Sequence, residues 1–191
     1  MRNHAEKTEY TLIRSSRRSI ALEVTPEGEL IVRAPRFAPK AQIEALLEEK
    51  ADWIARARAR AAAQTEAAAD AGLLSPEDLK ALAAQARAYL PGRVAHFAAA
   101  LGVDYGRITI RAQRSRWGSC SPQGNLNFNC LLMLTPPEVI DSVVAHELCH
   151  RKHMNHSAAF YAELRRVFPD YDRCRAWLKK EGPVLLARIQ K

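Results

Sequence analysis

A chain of 191 residues can bury one proper core with a small appendage beside it. The composition is 48% hydrophobic and 26% charged, as in soluble globular proteins, and no apolar run approaches the roughly 20 residues of a membrane span. The net charge of +8 favours anionic partners and allows a weak nucleic-acid association. Arginine is nevertheless spread through the whole Ala/Arg-rich sequence, so the charge speaks to solubility and encounter more than to function.

The stretch from Met1 to Tyr10 is polar and charged, without the apolar segment of a signal peptide, and the chain is read as cytoplasmic. Cys120, Cys130, Cys149 and Cys174 include no C-x-x-C pair, so free thiols are expected, some of them packed in the core.

Ile20, Leu22 and Val24 alternate with Ala21 and Glu23, Thr25-Pro26-Glu27-Gly28 has turn composition, and Leu30 and Val32 resume the alternation up to Ala34-Pro35. This is a hairpin pattern, and residues 10–14 can add a third strand. Pro39 opens a helical stretch in which Ile43, Leu46, Leu47, Lys50, Trp53 and Ile54 recur at three- and four-residue steps. The pattern fades over residues 56–71, which read as an exposed helix end or connector. Ser75-Pro76-Glu77-Asp78 starts the next helix with a capping serine, a first-turn proline and two acids. That helix runs to Tyr89, or through Pro91-Gly92 to Leu101, with Gly102 ending it. Residues 107–112 read as a strand. Leu126 and Phe128, extended to residues 131–134, read as another beyond the turn Ser121-Pro122-Gln123-Gly124. Thr135-Pro136-Pro137-Glu138 opens a further helix, and two more follow, over residues 157–167 and 171–180.

The helix opened at Pro136-Pro137 carries His146-Glu147-Leu148-Cys149-His150, an H-E-x-x-H motif. Residues four apart on a helix lie one above the other, so His146 and His150 can converge on one ion. Glu147 is turned about 100° from His146 and can reach a water on that ion without binding it. Val144 and Leu148 point away and can pack inward. A catalytic zinc needs a third protein ligand and an open fourth position. His156 is the choice, with Asn155 in a left-handed turn that folds the chain back and Ser157 capping the next helix. The rivals are His153, about 10 Å along a straight helix from His146, and Glu163. Cys149 reads as packing.

His146-Glu147-Leu148-Cys149-His150, followed by Met154-Asn155-His156-Ser157 and Phe160, resembles the YgjP-like family of zinc metallopeptidases, related to the WLM and SprT-like groups. Arg116-Trp117-Gly118-Ser119-Cys120-Ser121 is similar to its upstream motif and Leu126-Asn127-Phe128-Asn129 to its downstream strand. Ser16-Arg17-Arg18 and Val32-Arg33-Ala34-Pro35 are similar to its N-terminal hairpin. The spacing of the three histidines is also that of metzincins, but these carry a glycine where this chain has His153. The resemblance implies a zincin-like α+β domain with an N-terminal hairpin region, a small sheet and an active-site helix. Residues 1–70 would form the hairpin region and connector helix, and residues 71–191 the metal-dependent hydrolase domain, packed as one unit.

Zn2+ is the cofactor expected, held by His146, His150 and His156, with Glu147 as general base in peptide hydrolysis. Asn129, Tyr161 and Tyr171 are candidates to stabilise the oxyanion, while Trp117 and Asn129 can equally be structural. Some members of the family are described as nucleoside-triphosphate pyrophosphatases, and Arg111, Arg114 and Arg116 keep a nucleotide substrate open. Alternate arginines of an extended segment cannot all face one cleft, however. A nucleic-acid-binding module with a structural zinc is the third reading, against which Glu147 argues.

Overall fold

The computed structural model describes residues 9–189. The fold is mixed α+β, with two three-stranded sheets and six α-helices among the described residues. The chain divides into two compact units, Met1–Asp70 and Ala71–Lys191. No helix among the described residues is long and apolar enough to cross a membrane.

In the first unit, β1 (Thr11–Ser15), β2 (Ala21–Val24) and β3 (Leu30–Pro35) form a sheet in the order β1-β3-β2. The expected hairpin is the antiparallel β2–β3 pair, and its turn closes with Gly28 N–H donating to the Thr25 carbonyl at 2.9 Å. Gly28 has φ 84°, a conformation that favours glycine. The third strand is β1, parallel to β3. Leu30, Val32 and Ala34 send alternate side chains of β3 into a core shared with Ile43 and Leu47 of α1 (Lys40–Glu49) and Ile54 of α2 (Ala51–Asp70).

The single helical stretch expected from Pro39 is thus two helices, separated at Lys50, and Trp53 stands partly exposed. The Ala/Arg-rich segment is the largely exposed end of α2, as expected, but Ala61 and Ala68 are buried, and Thr65 donates to the Pro26 carbonyl of the hairpin turn. Small alanines leave room for that close approach.

The second unit begins with α3 (Pro76–Leu101). Ser75 caps it: its Oγ accepts from Asp78 N–H, and Asp78 accepts in return from Ser75 N–H at 2.9 Å. The helix passes Pro91 without ending and stops at Gly102, φ 65°. Then come β4 (Ile108–Arg111), β5 (Gly118–Cys120) and β6 (Leu126–Asn129), in the order β4-β6-β5, with β4 parallel and β5 antiparallel to β6. The sequence offered no sign of β5, which has neither apolar alternation nor branched residues.

The strand expected over residues 131–134 is instead a 3-10 helix, Cys130–Leu134. Its apolar run lacks the alternation of a strand, and Asn129 accepts from Leu131 N–H to turn the chain. The remaining helices are α4 (Pro137–Cys149), α5 (Ala158–Val167) and α6 (Tyr171–Ala187), the last seven residues longer than expected and running through Pro183.

The core of this unit lies between α3, α4, the sheet and the 3-10 helix. Leu90, Val94, Phe128, Leu131, Val144, Leu148 and Phe160 are all fully buried in it. Arg93 of α3 grips Asp141 of α4 through two hydrogen bonds of 2.7 and 2.8 Å. The unit's ends are tied together: Leu74 bridges Ile189, and Arg188 donates to the Gly72 carbonyl at 2.6 Å.

Candidate metal centre

Helix α4 is buried on most of its surface, which fixes its rotation. Val144, Ala145, Leu148 and Cys149 have no exposure, so His146 and His150 stand on the side left over. After the helix the chain turns through Arg151 N–H donating to the Leu148 carbonyl and His153 N–H donating to that of Cys149. Asn155 is not left-handed, since no described non-glycine residue has positive φ, and the expected reason for the turn is corrected accordingly. Ser157 does cap α5, accepting from Phe160 N–H.

This turn delivers His156 to the other two histidines. The three ring centroids are 4.8–5.1 Å apart, and His156 Nε2 lies 3.0 Å from His146 Nε2. One nitrogen from each ring falls within 4.8 Å of the others. The fully buried Phe160 ring is equidistant from all three, at 4.8–4.9 Å. A rigid ring in contact with three imidazoles holds them in a fixed triangle.

The outer nitrogens are engaged. His150 Nδ1 faces the His153 carbonyl at 3.1 Å, and a carbonyl only accepts, so that nitrogen carries the proton. His146 Nδ1 lies 3.1 Å from the Tyr171 hydroxyl. With Nδ1 as the protonated nitrogen of each ring, the Nε2 lone pairs of His146 and His150 face inward. Burial, with the charges of His150 and His156 adding to it, pushes His146 down to about 3, so the imidazole stays neutral. Two neutral inward nitrogens with a third 3.0 Å from one of them suit a borderline-soft dication such as zinc.

Glu147 is 7% exposed and lines the cleft beside His146, His150 and His156. Burial lifts its carboxyl to about 8, against a smaller opposing pull from Arg116. Strand β5 passes directly over it. A Cβ added at Gly118 would come within 2.7 Å of both Glu147 Cγ and Oε1, so only glycine permits this approach.

The other sequence candidates are elsewhere employed. The His153 side chain is not in the cluster; its backbone carbonyl orients His150. Glu163 is paired with Arg166 at 2.9 Å and Lys152 at 2.6 Å, which pull it down to about 2. Cys149 is buried, and burial pushes its thiol up to about 12. All four cysteines are free thiols. Asn129 is buried and donates to the Gln113 and Arg116 carbonyls, a structural part. Trp117 lines the cleft and rests against Gly182.

Tyr171 orients His146, and Tyr161 stacks beside His156. Arg111 and Arg116 line a polar concavity with Arg107, along the face of the second sheet, which adjoins the cleft at Ser119 and Cys120. Missed in the sequence were the buttress role of Phe160 and the reason for Gly118. Phe160 lies four residues beyond His156 on the next helix, and only the fold shows which way that helix faces.

A family model described as YgjP-like, metallopeptidase domain, matches residues 18–82 and 76–181 of the chain. No curated protein matches it. Among solved structures it is similar to the metallopeptidase zymogen of Methanocaldococcus jannaschii jannalysin, at 22% identity and a TM-score of 0.44, over 48% of this chain and 95% of that one. It is similar also to the metallopeptidase zymogen of Pyrococcus abyssi abylysin, at 21% identity and a TM-score of 0.44, over 48% and 94%.

Proposed function

The chain belongs to the YgjP-like metallopeptidase family, and from that premise we propose that it is a zinc-dependent peptidase with His146, His150 and His156 as ligands and Glu147 as general base. The observation that carries this reading is the convergence of three imidazoles on one point with a buried carboxylate beside them. Among the described residues the cluster holds three side chains, which leaves the open position of a catalytic rather than a structural zinc.

Bound zinc would lower the pKa of a coordinated water to about 7 and polarise the scissile carbonyl. With a dication held beside it Glu147 would be ionised, and as the carboxylate it takes the proton from the attacking water and delivers it to the leaving amine. Gly118 keeps the backbone of β5 against that carboxylate, which restricts where it can turn. Tyr171 and the His153 carbonyl orient the ligand rings from behind.

The alternative substrate is a nucleoside triphosphate. It is favoured by the arginine-lined concavity, which shares Ser119 and Cys120 with the cleft. Incubating the zinc-loaded protein with a peptide library and with nucleoside triphosphates in parallel separates the two. We expect peptide products and no pyrophosphate, with His156→Ala losing both zinc and activity. Pyrophosphate release with intact peptides would reverse the assignment.

A further inference from the structure

The cleft has two lobes that meet at His146, Glu147 and Gly118. One, of about 270 Å³, also contains His150, His156 and Met154. The other, of about 180 Å³, is walled by Trp117, Val143, Tyr171 and Leu178. Its polar groups are largely committed: Ser142 donates to the Val139 carbonyl at 2.7 Å, and the Tyr171 hydroxyl meets His146. What remains is an apolar hollow with room for one large side chain, opening beside the proposed base.

Arg175 is the exposed member of this lining and so marks its solvent side. Its guanidinium stands 5.9 Å over the Tyr161 ring. No carboxylate pairs with it among the described residues. Asp172, whose charge it influences, is held by Arg165 at 2.8 Å, and Asp170 and Glu138 face Arg173 instead. A cation so placed, over an aromatic face and with the acid it influences already held by Arg165, is suited to a planar carboxylate from outside.

We propose that this lobe is a specificity subsite: it takes a large apolar side chain adjoining the scissile bond, and Arg175 binds a carboxylate on the residue that follows. That carboxylate comes either from an acidic side chain or from the C-terminus of the substrate chain. The inference rests on the peptidase reading and adds a preference that the family assignment does not supply.

The test uses zinc-loaded protein and short peptides with phenylalanine beside the cleaved bond. The next residue is Asp, Asn or Lys, and each peptide is made as free acid and as amide, with its C-terminus at that residue. A charge-assisted pair is worth enough to favour the carboxylate peptides about 10- to 100-fold in kcat/KM. Loss on going from Asp to Asn identifies the side chain as the source, and loss on amidation identifies the terminus. Arg175→Gln should collapse the preference to within about 3-fold, and Arg175→Glu should turn it toward Lys.

Binding of the same peptides to zinc-loaded Glu147→Gln, measured by calorimetry with and without Arg175→Gln, should rank them the same way. Peptides cleaved regardless of the carboxylate, or a preference that survives Arg175→Gln, would overturn the subsite while leaving the peptidase standing. A wild-type protein that cleaves none of them would contradict the peptidase reading and this inference together.

Discussion

Glu147 and His146 sit side by side on α4, and burial moves their pKa values in opposite directions. The Glu147 carboxyl rises from its ordinary 4.5 to about 8, and the His146 imidazole falls from 6.5 to about 3. For the protein without metal the consequences for stability differ in sign. A carboxyl with a raised folded pKa contributes stability that is full below pH 4.5 and is lost as the pH climbs to 8. The histidine's contribution is present above pH 6.5 and is lost as the pH falls toward 3. Of this pair, only Glu147 titrates between pH 6.5 and 8. Over that window chelator-treated wild type should lose about 2 kcal/mol relative to chelator-treated Glu147→Gln. Denaturant melts at the two pH values measure this. A stability difference between the proteins that does not change with pH would show that Glu147 is not held in its uncharged form.

At the scale of elements, β5 and α4 make one device. The strand has three residues and, among the described residues, a single paired neighbour, β6, yet it roofs the proposed base. Gly118→Ala would bring a methyl group within 2.7 Å of the Glu147 side chain, so either the strand or the carboxylate must move. We expect a loss of about 1–3 kcal/mol by thermal unfolding, and a fall in hydrolytic rate larger than that loss would explain. Wild-type stability and rate would mean that β5 does not constrain Glu147.

This pairing also marks where the sequence stopped being readable. The H-E-x-x-H face of α4 was legible because helical periodicity is local, and the Ser75, Gly102 and Ser157 caps because capping chemistry is local too. Strand β5 was not, because Gly-Ser-Cys becomes a strand only through its partner. The run Cys130–Leu134 misled for a related reason: burial on all sides looks alike in a strand and in a tight helix. Arg175 joins the cleft from α6, 25 residues beyond His150, and no spacing rule reaches that far; Tyr171 was among the sequence candidates, but as an oxyanion donor and not as the partner of His146.

At the scale of the whole molecule, every side chain invoked at the centre belongs to the unit Ala71–Lys191. That unit has its own core, and its two ends are joined through Leu74 with Ile189 and Arg188 with Gly72. A chain beginning at Ala71 should therefore fold cooperatively and retain one zinc, as read by circular dichroism melting and elemental analysis. A fragment that folds without binding zinc would place an essential part of the centre in the first 70 residues.

The central claim is that Glu147 moves the proton while the three histidines hold the metal, and Glu147→Gln addresses both halves at once. Glutamine keeps the shape of glutamate but cannot accept the proton at neutral pH. At matched zinc content, turnover of the peptide that the wild type cleaves best should fall by about 10²–10⁴-fold. Full turnover by the zinc-loaded variant would contradict the account.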